Sequence, residues 1–280
     1  MAPDTSPPDA PPDLLSDPPF DTAETDRLLS TTRAVRRRLD LNRPVPPQVL
    51  LDCIDLAEQA PTGGNQSSRR WLVVQDDATK QALAELYRES GGQWISDAYE
   101  QVSGTGHHNE KTLRSADHLA RNLEHVPAIV LVTIHGVHDG SGRPGLFDSV
   151  IQAAWSFCLA LRSRGLGSAW TTIHLNAADQ VSELLGIPDG VTQIVLLPVA
   201  WTIGEEFSPA ERRPAADITW FDQWGRTLQR PTNEAPVHAD GAGVTVEIDI
   251  DAPPEAVWPF ISDIDLPASF SDEFQGAEWI

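Results

Sequence analysis

Lysine and arginine are missing from both ends of this sequence. Residues 1–26 contain seven acidic residues and no base, and residues 231–280 contain eleven acidic residues and no base. The formal net charge of −21 therefore belongs mainly to the ends, because residues 27–230 hold 23 acidic against 20 basic residues. Such a distribution provides no extended basic surface, so we expect no nucleic-acid partner.

Long apolar runs and cysteines are also scarce. No apolar run approaches the roughly 18 residues of a membrane span, and the N-terminus shows no basic leader followed by an apolar core. We therefore expect no membrane partner and a cytoplasmic location. The two cysteines, Cys53 and Cys158, lie on apolar faces of predicted helices, which favours buried thiols. The histidines lack the companion ligands of a metal site, so no metal-binding residue is predicted.

Composition divides the chain into four parts. Residues 1–26 are rich in Pro and Asp and poor in large apolar residues, which predicts a disordered tail. In residues 27–225, predicted helices alternate with predicted strands, which is typical of a domain with an α/β sandwich. Residues 226–243 are small and polar, as in a linker.

The last part, residues 244–280, follows a different pattern. Alternation of Val244, Val246 and Ile248 predicts a strand, and an amphipathic helix with a Pro-Pro start follows. The segment resembles the opening strand and helix of a polyketide cyclase or START-like (SRPBCC) lipid-binding domain. A complete helix-grip fold of that kind needs on the order of 100 residues. We therefore expect a partial fragment, left either by truncation or as a remnant packed on the main domain.

An arginine cluster and a glycine turn flank one predicted helix. The cluster is TTRAVRRR at residues 31–38, at the end of a helix predicted over residues 26–38; the turn is APTGGN at residues 60–65, after a helix predicted over residues 47–60. Guanidinium groups bind phosphate through paired N–H donors, and a tight polar turn presents backbone N–H groups. Each pattern alone is also typical of a solvated helix face or of an ordinary turn. Their combination predicts a site for a flat, phosphorylated ligand.

Two later segments extend this pattern. A long helix is predicted from residue 146 to residue 164, with Gly165 placed to end it, and a short strand is predicted at residues 169–172. A buried strand is predicted at residues 193–201 and is followed by a pair of arginines.

These landmarks, in this order, resemble the nitroreductase family of flavin mononucleotide (FMN) enzymes. The RAVR of residues 33–36 is similar to the family's arginine-rich phosphate motif, and APTGGN is similar to the turn that holds the flavin. The resemblance covers roughly residues 28–224. It implies an α+β fold, an α/β sandwich in which helices flank a mixed central sheet.

The resemblance also implies a cofactor site. The first motif and a later arginine pair would hold the phosphate, the turn would contact the ribityl chain and the polar edge of the ring, and residues after the long helix would lie near the rest of the ring. The residues so assigned are Arg33, Ala34, Arg36, Arg37, Pro61, Thr62, Gly63, Asn65, Ser168, Trp170, Thr171, Arg212 and Arg213. No side chain is assigned as a catalytic acid or base, because the flavin carries the chemistry.

Three departures from the family pattern bear on the site. Ala34 stands where a serine often donates a hydrogen bond to the phosphate. Ser67, Ser68 and Arg69 replace the family's Gln-Pro-Trp after the turn. Residues 91–126 form an insert that is expected to act as a lid over the flavin.

The resemblance implies an oxidoreductase that passes hydride from NADH or NADPH through FMN to an electron-poor small molecule such as a nitroaromatic or a quinone. It also implies a homodimer with FMN at the subunit interface. The alternative is a protein without turnover that stores flavin or binds a lipid-like ligand.

Overall fold

The computed structural model describes residues 20–136, 147–210 and 212–226. The predicted tail up to residue 19, nearly all of the predicted linker and the predicted fragment at residues 244–280 lie outside the described residues. The chain divides into two compact units, Met1–Glu211 and Arg212–Ile280. The described part of the second unit contains a single 3₁₀ turn, Ala215–Asp217.

The first unit alternates helices and strands along most of its described length. The helices are α1 (Thr22–Thr31), α2 (Pro47–Ala57), α3 (Asp77–Tyr87), α4 (Gln93–Val102), α5 (Glu110–Asn122), α6 (Phe147–Arg162) and α7 (Ala178–Leu185); the strands are β1 (Arg69–Val74), β2 (Ala128–His135), β3 (Leu166–Ser168) and β4 (Val191–Trp201).

The four strands form one sheet in the order β1-β2-β4-β3, and each neighbouring pair is antiparallel. Parallel pairing within the described residues is confined to two isolated bridges, Ala34 with Ser168 and Gly136 with Val191. The helices pack on both faces of this sheet. The predicted α+β sandwich is therefore confirmed.

Both faces of the two central strands are buried, which explains their continuous apolar sequences. On β2, Val130 and Val132 pack with α2 and α6 in one cluster, whereas Ile129 and Leu131 pack in the other cluster with α3, α5 and α7. Strand β4 alternates in the same way. The first unit therefore has three layers, and α6 lies on the same face of the sheet as α2.

The arginine segment is not helical, so the helix predicted over residues 26–38 is wrong after Thr31. The hydroxyls of Thr31 and Thr32 donate to carbonyls of the preceding turn, at 2.6 Å each, and Thr32 already has an extended conformation. The following residues pair with the sheet edge: the Val35 N–H donates to the Ser168 carbonyl at 2.8 Å, and the Ile203 N–H donates to the Arg38 carbonyl at 2.8 Å. Tertiary pairing thus overrides the helical periodicity.

The strand predicted at residues 169–172 lies earlier in the chain, at β3. Gly165 ends the helical region with φ of +79°, and the chain then pairs at once with the end of β4. Residues 169–172 follow β3, and Thr171 alone among them forms a bridge, to Leu196. A three-residue strand containing a glycine gives no strand signal in the sequence, which explains the displacement.

Arg69 fastens the glycine turn to the rest of the domain. Its buried guanidinium donates to the carbonyls of Glu58, Ala60 and Ser149 at 3.0–3.2 Å. Its Nε also lies 3.3 Å from a Glu58 carboxylate oxygen, as an ion pair rather than a hydrogen bond. One side chain therefore joins the end of α2, the start of β1 and the start of α6.

Replacing this side chain is expected to destabilise the domain. Arg69→Met leaves three carbonyls without their donor and Glu58 without its cation, so the free energy of unfolding should fall by about 3 kcal/mol or more. Arg70→Met is the matched control, because Arg70 is exposed and bonds only to neighbouring carbonyls; its effect should stay within about 1 kcal/mol. Chemical denaturation measures both, and equal losses would contradict the role given to Arg69.

Candidate functional site

Six consecutive positions of the arginine segment, residues 33–38, line a cavity at the edge of the sheet. The cavity has a volume of about 470 Å³. Its lining residues are Arg33, Ala34, Val35, Arg36, Arg37, Arg38, Ser115, Glu206, Phe207, Ser208 and Pro209. Four guanidinium groups and one carboxylate give this cavity a positive charge, as expected for a phosphate site.

Three of these arginines are held in place by the surrounding chain. Arg33 donates to the Ser208 carbonyl at 2.9 Å, and Arg38 donates to the Ile203 and Glu206 carbonyls at 2.8 and 2.7 Å. Arg36 makes a longer contact, 3.4 Å, with the Ser115 hydroxyl of α5. Carbonyls and hydroxyls orient these cations without cancelling their charge.

Burial disfavours the charged form of two arginines when no anion is bound. It lowers the pKa of Arg36 and the pKa of Arg162, and repulsion from nearby Arg27 and Arg38 lowers the pKa of Arg162 further. Arginine nonetheless stays protonated in proteins. A bound anion would offset both the cost of burying these charges and their mutual repulsion, as expected at an anion site.

A second, smaller cavity adjoins the first. It measures about 90 Å³ and is lined by Thr32, Arg33, Ala34, Val35, Trp155, Cys158, Arg162, Leu166, Gly167, Ser168 and Trp170. Two of its polar atoms, Ser168 Oγ and Arg162 Nε, are buried and have no hydrogen-bond partner within the described chain. Unpaired buried donors are uncommon and point to a polar ligand.

The glycine turn lies at the other end of α6. Gly64 and Asn65 have φ of +61° and +56°, and the turn is exposed at most of its positions. The Gly63 N–H donates to the hydroxyl of Ser149, in the first turn of α6, at 2.9 Å. The small cavity, by contrast, contacts α6 at Trp155, Cys158 and Arg162, which lie about 9 to 20 Å further along the helix at 1.5 Å per residue.

The structure thus brings together only part of the predicted site. Arg33, Ala34, Ser168 and Trp170 line a common cavity, and Arg36 and Arg37 line its neighbour. Neither cavity includes a residue of the turn, Pro61, Thr62, Gly63 or Asn65. Arg212 and Arg213 lie in the second compact unit, and their role as phosphate contacts stays a prediction.

A buried tyrosine forms a hydrogen bond with the side chain of Thr171. The threonine hydroxyl is 2.9 Å from the phenol oxygen of Tyr87, a residue that is only 2% exposed. The Thr171 backbone also pairs with Leu196 in both directions. Burial raises the pKa of Tyr87, so the phenol remains protonated and can donate to the threonine.

Several residues of the site were not predicted. Arg162 and Ser115 line the two cavities, and Tyr87 contacts Thr171, which lines neither cavity. Arg162 reads in the sequence as a cation at a helix C-terminus, a common stabilising position. Tyr87 is one of two tyrosines in the chain, and it falls on an apolar helix face. Neither pattern signals a binding site.

A larger cavity of about 950 Å³ lies elsewhere and contains none of the predicted residues. Its cations are already neutralised: Lys80 is 3.0 Å from Asp77, and Arg88 is 2.8 Å from Glu124. We therefore assign the anion site to the arginine cavities despite their smaller volumes.

The described residues contain no cluster of three or more histidine, cysteine, aspartate or glutamate side chains that could hold a metal ion. The helices in the same portion of the chain are too short or too polar to cross a membrane.

His174 lies just after this site and is completely buried. Neither ring nitrogen has a hydrogen-bond partner among the described groups, and burial lowers the pKa of the imidazole from 6.5 to about 4. The folded protein therefore holds His174 neutral at neutral pH.

This burial makes stability depend on pH. Below pH 6.5 the unfolded chain binds a proton at His174 that the folded chain does not bind until about pH 4. Stability from this residue is therefore complete above pH 6.5 and falls by up to about 1.4 kcal/mol per pH unit between pH 6.5 and 4. Denaturation at several pH values should show a shallower decline for His174→Gln than for the wild type.

Exposed His108 provides the control. His108→Gln should follow the wild-type pH dependence. If His174→Gln also ran parallel to the wild type, the histidine would not be held neutral in the folded state.

The fold of this chain resembles that of solved proteins. The nitroreductase NfnB from Mycobacterium smegmatis, described as FMN-dependent and solved with NADPH, superposes with a TM-score of 0.55 over 72% of this chain and all of that chain, at 16% identity. An iodotyrosine deiodinase bound to FMN and 3-iodo-L-tyrosine superposes with a TM-score of 0.51 over 75% and 99%, at 22% identity. These likenesses establish the fold.

Sequence comparison establishes the family. Residues 29–201 match the nitroreductase family, and the chain belongs to it. Among curated proteins, iodotyrosine deiodinase 1 from Rattus norvegicus is 27% identical over 204 residues, which cover 68% of this chain. The match spans 66% of that relative's length.

Proposed function

We propose that this protein is an FMN-dependent oxidoreductase that takes reducing equivalents from NADH or NADPH. The observation that carries the proposal is the arginine cavity at the sheet edge, whose four cations, together with the unpaired donors of the adjoining smaller cavity, fit the phosphate of a flavin nucleotide. Bound FMN would supply the redox chemistry by accepting hydride and passing electrons to a small, electron-poor acceptor. Membership of the nitroreductase family supports the same conclusion.

The protein's own residues would bind and orient this cofactor. Arg33, which lines both cavities, would contact the phosphate, and Arg36 and Arg37 would neutralise it from the adjoining larger cavity. The glycine turn would contact the polar edge of the ring through the exposed side chain of Asn65, because the Gly63 and Asn65 N–H groups already bond to Ser149 and Thr62. Thr171 would face the ring with a hydroxyl that Tyr87 holds in position.

A homodimer would complete the site. The arginine cavities and the glycine turn lie at opposite ends of α6, so one chain does not place them around a single pocket. The same helix leaves Ile151 and Trp155 exposed, at 48% and 44%. Two copies that pack these apolar side chains together could bring the turn of one chain to the arginines of the other.

A second candidate substrate class is the halogenated phenols. The curated relatives that support it are iodotyrosine deiodinases, and one solved structure of such an enzyme holds FMN with 3-iodo-L-tyrosine. Reductive removal of a halogen from an aromatic ring would then replace reduction of a nitroaromatic or a quinone. Helices α4 and α5, which occupy the predicted lid, would select between these acceptors.

Both cysteines are unpaired, which suits a reducing compartment such as the cytoplasm.

The visible spectrum of the purified protein tests the proposal. Reconstitution with FMN should give a yellow protein, and anaerobic addition of NADH or NADPH should bleach it. Reoxidation by a nitroaromatic, a quinone or 3-iodo-L-tyrosine would then identify the acceptor class. A protein that binds FMN but is reduced by neither nicotinamide would contradict the proposed hydride donor and favour flavin storage.

A further inference from the structure

Ser168 presents a hydroxyl group that the folded protein does not use. The residue is 7% exposed, and its Oγ has no partner among the described groups. Its backbone is fully engaged, because the carbonyl accepts the Val35 N–H at 2.8 Å and the residue is the last in β3. A buried hydroxyl without a partner costs roughly 1–3 kcal/mol, so a ligand that accepts its hydrogen bond would recover this energy.

The cavity in front of Ser168 suits an anionic ligand. It is lined by two cations, Arg33 and Arg162, and by no acidic residue in the described portion of the chain. Burial raises the pKa of Cys158 to about 12, so its thiol carries no negative charge. The volume of about 90 Å³ accommodates about three water-sized groups, such as the oxygens of a phosphoryl group.

The other hydroxyl in this cavity is already committed. Thr32 donates its proton to the Leu28 carbonyl at 2.6 Å, which leaves only acceptor capacity toward the cavity. Arg162 adds an unpaired Nε donor beside Ser168. Ser168 is therefore the hydroxyl that has a proton to give to an anion.

Ala34 is the neighbour of Ser168 across a parallel bridge, and both residues line the cavity. Ala34 occupies the position at which the arginine motif of the family often has a serine that bonds the phosphate. The structure thus places an unused hydroxyl directly beside the position from which one is missing. A donor on β3 can serve the same phosphoryl oxygen that a side chain at position 34 would otherwise serve.

We propose that the Ser168 hydroxyl donates a hydrogen bond to the phosphoryl group of the bound nucleotide, in the place of the serine that Ala34 lacks. The inference rests on the proposed function, since it takes a flavin phosphate as the ligand. It goes further by assigning to Ser168 a share of the preference for a phosphorylated over an unphosphorylated flavin. Arg162 contributes the second donor in the same cavity.

Binding of FMN and riboflavin by three variants tests this role. Ser168→Ala should weaken FMN binding about tenfold or more, as expected for loss of a charge-assisted hydrogen bond, and leave riboflavin binding unchanged. Ala34→Ser combined with Ser168→Ala should restore FMN binding, because the hydroxyl returns to the same cavity from the neighbouring position. Ser103→Ala, at an exposed position outside the cavity, is the matched control.

Thermal unfolding of the flavin-free variants separates binding from folding. Ser168→Ala removes no hydrogen bond from the free protein, so its melting temperature should equal or exceed that of the wild type. Isothermal titration or flavin fluorescence supplies the affinities.

Each remaining outcome has a definite meaning. Wild-type affinity for FMN in Ser168→Ala, or an equal loss for FMN and riboflavin, would overturn the phosphoryl contact and leave the proposed function intact. Failure of the double variant to recover FMN binding would overturn the claim that a hydroxyl at position 34 can replace the hydroxyl of Ser168. A wild-type protein that binds neither flavin would overturn both the proposed function and this inference.

Discussion

The pairing of the arginine segment with the edge of the sheet determines where Arg33, Arg36, Arg37 and Arg38 lie. Val35 bonds to the end of β3, and this close approach requires that residue 167 have no side chain. A Cβ at Gly167 would lie 2.9 Å from the Cβ of Val35 and 2.8 Å from a methyl group of Thr202. The glycine therefore permits the contact that sets Ala34 beside Ser168 and directs the arginines into two adjoining cavities.

The opposite end of the site depends on a buried cation. Arg69 donates hydrogen bonds to two carbonyls just before the glycine turn and to one carbonyl of α6. The hydroxyl of Ser149 accepts a hydrogen bond from the N–H of Gly63. The family's usual Gln-Pro-Trp sequence is absent here, and Arg69 supplies a different means of holding the same turn. Both halves of the site are thus attached to α6, but to different ends of it.

The order of motifs in the sequence was enough to predict the fold class and the family. A long helix and two buried strands have recognisable apolar patterns, and the arginine motif lies within a few consecutive residues. Contacts between distant segments leave no such signal. The extended conformation after Thr31 arises from pairing with β3, and the shift of β3 to Leu166–Ser168 arises from pairing with β4. The Ser168 hydroxyl and the His174 ring nitrogens lack hydrogen-bond partners among the described groups, and this too depends on which residues surround them in the fold.

Complementation between two defective chains tests most directly whether one flavin is held by both subunits. Arg33→Glu reverses a charge in the phosphate cavity, and Asn65→Asp replaces an amide of the turn while tolerating the left-handed backbone there. Each variant alone should retain no FMN. In a dimer with one chain of each variant, one of the two sites is intact, so isolated mixed dimers should recover about half of the wild-type flavin content and a random mixture about a quarter. If the mixture retains no more flavin than either variant alone, each site lies within one chain and the two-subunit account is wrong.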